Sequence, residues 1–371
     1  MSTSFGENLS AEFSSRLQYA HFYDFDAKVH NKSEVNLGTV TYSDGTCRCN
    51  SGAAASSSAQ INSNGVVSYR PGQGVTLRWA SIFDTPVEGN VQRCGFYDND
   101  NGVFVGYDSL GNFGLTVRRG GVDTFYDQTS WNVNTLAIGS FILDHQKGNI
   151  YEIKMQYFGF GNLFLNIENQ NGVFETIHKI NHQNSSTTTS LLNANLGFRM
   201  ESINTSNDTD IVVENACYAA FVEGNTYQLG PIVAASGSKM SVGTTETNIL
   251  TIRNSSTFLG QTNKSHLKVL MFNTSSDGNK SCYVKFVLNA TLTTPSYSLI
   301  SGTHVEEDTT GTYSGGGIEM LTLNMSNNDS KLYNTNMYEF FLPVGATLSM
   351  IGAYNNSGTG DLNCSIVVRQ D

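Results

Sequence analysis

The chain is short of charge. Only 14% of its 371 residues are Asp, Glu, Lys or Arg, against roughly 25% in an average globular protein. Its solubility must rest on Asn, Ser, Thr and Gly. The 21 basic residues are outnumbered by 32 acidic ones, for a net charge of -11. They form no block able to neutralise several phosphates, which argues against a nucleic-acid partner. No run approaches the roughly 18 apolar residues of a spanning helix, so membrane insertion is not expected. Met1-Ser2-Thr3-Ser4-Phe5-Gly6-Glu7-Asn8 lacks the basic and apolar regions of a secretory signal. A Gly-x-Ser-x-Gly nucleophile turn and a phosphate loop are also missing.

The six cysteines, at 47, 49, 94, 217, 282 and 364, read as reduced thiols acting as small buried hydrophobes. The single residue between Cys47 and Cys49 is too short a spacing for a zinc pair. Asn-x-Ser/Thr triplets such as those at Asn204 and Asn289 follow from the composition, and without a secretory route they imply no glycosylation.

What the chain does have is a two-residue rhythm. Tyr151-Glu152-Ile153-Lys154-Met155-Gln156-Tyr157 and Cys282-Tyr283-Val284-Lys285-Phe286-Val287-Leu288 alternate apolar with polar. Strands that bury one face and wet the other read this way. The fold class expected is all-β, with two antiparallel β-sandwich domains. The first is lectin-like (concanavalin- or laminin-G-like), over 31–229. The second is jelly-roll-like, over 238–371, where about eight short strands follow one another. An arm (1–30) precedes them, with Ser10 as the candidate cap of a short helix through about Leu17. Gly230-Pro231 opens an expected linker, 230–237. Thr46–Ser58 reads as an exposed loop. Tyr151–Tyr157 should form a hairpin with Leu163–Glu168 across Gly159-Phe160-Gly161-Asn162, and Asp277-Gly278 reads as a second hairpin turn.

Chemistry has few places to sit. Asp98-Asn99-Asp100-Asn101-Gly102 resembles the front of a calcium loop, with Asp98, Asp100 and Asp108 as candidate ligands. Clusters of this composition also make plain turns, and that reading is preferred, with no cofactor expected. His178 and His182 read as solvated strand histidines, and His304 as part of a hydrated acidic loop. Glu152, Glu168, Asp98 and Asp144 are carboxylates from which a glycan-cleaving pair would be drawn, but the expectation is a protein that is not an enzyme. For binding, the candidates are Tyr126, Trp131, Phe158 and Phe160, rings at predicted loop tips that could stack on sugar faces; the reading preferred is that they cover the end of the core or an intersubunit contact.

From Arg70-Pro71-Gly72-Gln73-Gly74-Val75-Thr76-Leu77-Arg78-Trp79 onward the chain resembles a known group. The likeness continues through Gly95-Phe96-Tyr97, Asn101–Tyr107, Phe113-Gly114-Leu115, Arg118–Gly121, Trp131-Asn132, Asp144–Gly148 and Gly159-Phe160-Gly161. In the second half it takes in Leu250–Asn254, Thr257-Phe258 and Leu342–Leu348. The order is similar to that of virion structural proteins of large DNA viruses and of tailed phages of aquatic origin, from about residue 65 to the C-terminus. The resemblance implies a minor capsid, vertex, spike or fibre protein. Such a protein would form homo-oligomers, contact other virion proteins and reside in the virion after synthesis in a host cytoplasm; the aromatic tips of the first domain make it the candidate outward module for a host-surface glycan. A free carbohydrate-binding protein and a glycan-cleaving enzyme are the alternatives.

Overall fold

The computed structural model describes residues 13–138, 141–224, 230–263, 265–278, 280–335 and 340–370. The chain divides into two compact units, Met1–Tyr227 and Gln228–Asp371. Both are antiparallel β-sandwiches. Among the described residues the one helical element is a single 3-10 turn, Gln128–Ser130.

In the first unit, one sheet runs Phe174–Ile180, Leu163–Glu168, Asn149–Met155, Val75–Phe83, Val212–Glu223, Thr46–Asn50, Thr39–Ser43, and Phe13–Ala20 also pairs with Val212–Glu223. The facing sheet runs Val122–Asp127, Phe113–Arg119, Asn101–Tyr107, Asn90–Tyr97, Phe198–Asn204, Ser58–Ser63, His30–Val35. Alternation along Asn149–Met155 sends Tyr151, Ile153 and Met155 into the core. Trp79, Phe83, Phe96, Phe198 and Tyr218 fill the space between the sheets. Phe198 of one sheet lies parallel to Tyr218 of the other, with ring centroids 4.0 Å apart.

The outer face of the second sheet is covered by its own cations. Arg93 and Arg118 lie over the Phe104 ring, and Arg118 and Arg199 over Tyr97. Arg93 pairs with Glu201 at 3.0 Å, and Arg118 with Asp123 at 2.6 Å. Asp123 holds the Arg118 guanidinium above its ordinary pKa. Guanidinium stacking lets large rings lie flat on a face that would otherwise expose them. Gly106 is needed beneath this layer: at φ +156, any Cβ would sit 1.8 Å from the Gln92 carbonyl oxygen.

The second unit has eight principal strands, in chain order Ile232–Val242, Thr247–Asn254, Leu267–Ser276, Cys282–Leu288, Ile318–Met325, Ser330–Asn334, Thr347–Tyr354 and Gly360–Gln370. They pair first-eighth-third-sixth in one sheet and second-seventh-fourth-fifth in the other. That order is a jelly roll. Phe272 and Phe286 meet across its core at 4.1 Å.

Several local expectations are corrected. Residues 13–17 are strand, not helix, because Phe13–Ala20 bonds to Val212–Glu223 and buries part of Leu17 and Tyr19 against the core; Ser10–Glu12 lie outside the described residues. The described part of the expected arm therefore opens with a strand of the first sandwich. Residues 232–237 of the expected linker begin a strand on Gly360–Gln370, with Val233 and Ala235 in the second core. The expected loop at Thr46–Ser58 contains the strand Thr46–Asn50, because Cys47 and Cys49 both point inward. Asp277-Gly278 joins strands of different sheets, so it is a crossover and not a hairpin turn. The Asn149–Met155 hairpin with Leu163–Glu168 forms as expected.

Both tryptophans, Trp79 and Trp131, lie in the first unit, so their fluorescence reports its unfolding. In a urea titration Phe198→Ala should lose about 3–5 kcal/mol of that transition through the cavity left beside Tyr218. Phe158→Ala, at an exposed tip, should stay within about 0.5 kcal/mol of the parent.

Candidate functional site: a groove on the first sandwich

The larger sheet of the first unit has an outward-facing groove of about 780 Å³. Its floor is made of small side chains in the outward phase of adjacent strands: Ala20, Cys217 and Ala80 lie in one cross-strand row, and Ala219 beside Arg78 in the next. Phe22, Tyr23, Ile150, Phe174 and Glu168 are also among the lining residues. Phe22 and Tyr23 are 75% and 82% exposed.

Beside the small floor residues stands a charged row. Arg78, Glu152 and Asn166 sit opposite one another on three neighbouring strands. Arg78 Nε donates to Glu152 Oε2 at 2.6 Å, and Asn166 Nδ2 donates to Oε1 at 2.7 Å. Lys154 Nζ is 3.4 Å from Oε1. The Arg78 guanidinium also lies 4.7 Å from the Phe174 ring centre, with Phe221 and Phe13 at 5.6 and 5.8 Å. The Glu152 side chain is fully buried while Arg78 remains one-third exposed. The groove thus offers ring faces, a guanidinium and the Glu168 carboxylate, with the buried carboxylate committed to its neighbours. Burial pushes the Cys217 thiol pKa up, so it is not poised as a thiolate nucleophile.

The residues proposed from sequence fall elsewhere. Trp131 is buried, packs against Phe113, and donates its ring N–H to the Tyr126 carbonyl at 3.1 Å. It closes the end of the core and is not an exposed binding ring. Tyr126 is half-buried beside His178, and burial raises its hydroxyl pKa. Phe158 and Phe160 do project from the hairpin tip, 68% and 41% exposed. The calcium set is not assembled. Asp98 and Asp108 close the turns at opposite ends of the seven-residue strand Asn101–Tyr107, about 20 Å apart at the rise of a β-strand. The Asp98 carboxylate accepts from the amides of Asp100 and Asn101, and the Asp108 carboxylate from those of Leu110 and Asn112. Among the described residues no group of three potential metal ligands converges.

Two histidine readings are also corrected. His178 is buried, and its Nδ1 accepts from the Asn132 amide at 3.2 Å. His304 is buried among Asn254 and Asn263. Burial lowers the pKa of both. Of the four carboxylates, Glu152 and Glu168 share the groove face. Asp98 is in its turn, and Asp144 is at the surface with Lys147, whose ammonium at 3.0 Å lowers its pKa. The groove itself went unread. Its signal was apolar or small residues, Ala80, Ile150, Cys217 and Ala219, in the phase where a solvated strand would carry polar ones.

No protein-family model and no curated protein sequence matches the chain. Among solved structures it is similar to the seed lectin of Lotus tetragonolobus, at 12% identity over 57% of this chain and all of that one, with a TM-score of 0.35. It is similar to a glycosyl hydrolase family protein from Mycobacterium fortuitum, at 7% identity over 56% of this chain and 99% of that one, with a TM-score of 0.41. A third is the CBM2 module of the evolved Dit of Lactobacillus casei BL23 phage J-1, at 10% identity over 59% of this chain and all of that one, with a TM-score of 0.39. The strand orders given above define the fold independently of these overlaps.

Removing the Glu152 charge tests the committed carboxylate. Glu152→Gln leaves Arg78 and Lys154 without their counter-ion and should destabilise the first unit by about 1–3 kcal/mol, toward the low end because Arg78 is partly solvated. The double variant Arg78→Met/Glu152→Leu should recover most of that loss, since apolar replacement of a buried pair is often neutral. Urea titrations of the single and double variants give the comparison.

Proposed function

We propose that the protein is a non-catalytic component of a virus particle that holds a glycan in the groove of its first sandwich and assembles, as a homo-oligomer and with other virion proteins, through its jelly roll. The observation that carries the binding half is the groove, where exposed rings flank polar groups on a rigid sheet. Sugars present apolar faces to rings and hydroxyls to amides and charged groups, so such a surface suits them. Binding is favoured over cleavage because both Glu152 oxygens are taken by Arg78, Asn166 and Lys154. Hydrolysis needs two carboxyl groups free to reach the scissile bond. The assembly half rests on the weakly charged composition and on the jelly roll, an architecture that recurs in capsids and lectins. That support is an analogy of fold.

On a glycan array the protein should bind a defined set of oligosaccharides and release no reducing ends from them. Tyr23→Ala and Phe174→Ala should each weaken binding at least tenfold, while Phe158→Ala leaves it intact. Loss only with Phe158→Ala would move the site to the hairpin tip. Mass spectrometry of purified particles should find the chain at fixed stoichiometry. Its absence from particles would leave a free glycan-binding protein.

A further inference from the structure

We propose that His21 and His30 form an acid-sensitive latch that holds one wall of the groove in place. The proposal rests on the groove being the binding site, and makes acid the signal that releases what it holds. The wall consists of Gln18, near the end of Phe13–Ala20, and the following Phe22 and Tyr23. His21 follows that strand directly. His30 begins the strand His30–Val35, at the edge of the opposite sheet. The two rings lie 5.2 Å apart and both are 1% exposed. The pair therefore joins the two sheets beneath the wall.

Among the described residues, both nitrogens of His21 and Nδ1 of His30 lack a hydrogen bond of good geometry, the Asn215 side chain being the group placed to bond His21. The fourth ring nitrogen, His30 Nε2, meets the Tyr218 hydroxyl at 2.8 Å. Tyr19 lies edge-on to both rings, and Tyr42 faces His21 at 5.8 Å. The Cys47 thiol lies in the field of Tyr19, Tyr42 and Tyr218. Asp26, in the connection between the two histidines, is the carboxylate whose charge reaches His30 and partly favours its protonation. Asn215 gives His21 a weaker offset of the same sign. Neither compensates for burial, nor for the repulsion His30 exerts on a charged His21. The pKa of His21 is lowered to about 3 and that of His30 to about 4.

A histidine whose folded pKa lies below its free value near 6.5 stabilises the closed form above that value. It loses that contribution as pH falls toward the folded pKa. From pH 7 to pH 5 each histidine raises the opening equilibrium about twenty-fold. Opening would turn Phe13–Ala20 away from the groove floor while the remaining strands keep their pairing.

Hydrogen exchange read by mass spectrometry tests the latch without any ligand. After correction for the intrinsic pH dependence of exchange, peptides spanning 13–30 should exchange at least tenfold faster at pH 5 than at pH 7. Peptides spanning 149–168, on the same sheet, should change little. His21→Phe keeps a ring in the site and removes one titration, so it should reduce the difference at least fivefold. His30→Gln keeps a partner for Tyr218 and should do the same if the first variant folds poorly. Acceleration spread evenly over the first unit, or unchanged in both variants, overturns the latch. So does equal protection of 13–30 at the two pH values. A blank glycan array with an intact latch would refute the binding reading alone.

Discussion

The first sandwich is organised around Tyr218. Its ring lies flat on Phe198 of the opposite sheet, its hydroxyl meets His30, and its backbone pairs with Trp79 on one side and Tyr19 on the other. The strand that carries it, Val212–Glu223, has twelve residues, long enough to bond Val75–Phe83 along one edge and both Phe13–Ala20 and Thr46–Asn50 along the other. Inward, this strand fixes the core. Outward, Cys217 and Ala219 set the depth of the groove. Because side chains alternate on either side of the bulge between Asn215 and Cys217, the residues that build the core decide which residues build the surface site.

The two sheets solve the same problem differently. Each has an outer face that must be wetted or covered, in a chain with few charges. The sheet bearing Phe104 and Tyr97 lays three arginines over its rings and pairs Arg93 and Arg118 with carboxylates. The sheet bearing the groove pins Arg78 over Glu152 at the groove, pairs Arg48 with Glu214 away from it, and leaves small side chains and solvent-facing rings around Arg78. One face is finished by contacts within the unit; the other is left open.

The fold was legible in sequence because period-two alternation marks strands such as Tyr151–Met155, with its turn at Gly159–Asn162, and Ser58–Ser63. Strand order was not legible, because Phe13–Ala20 finds its partner some two hundred residues downstream. That distant pairing overrides any local helix signal from Ser10. The site was hidden for the same reason. Ala80, Ile150 and Ala219 become a surface only when three strands meet. Trp131 misled because an aromatic beside a turn reads as exposed, and His178 because a histidine on a strand reads as part of its wetted face, whereas the segment after the 3-10 turn folds back over Ile177, with the Asn134 amide bonding to its carbonyl. The aspartates at 98 and 108 were close in sequence and far apart in space because a whole strand separates them.

In the second unit the first and last strands are hydrogen-bonded neighbours, with Ile232 opposite Arg369. A chain entering this jelly roll therefore leaves it within one strand spacing of where it came in. That makes the unit a cassette. A sequence spliced in through it would see its two halves reunited side by side, and a short bridge between the ends would close the domain into a ring and let new termini be opened at another exposed loop.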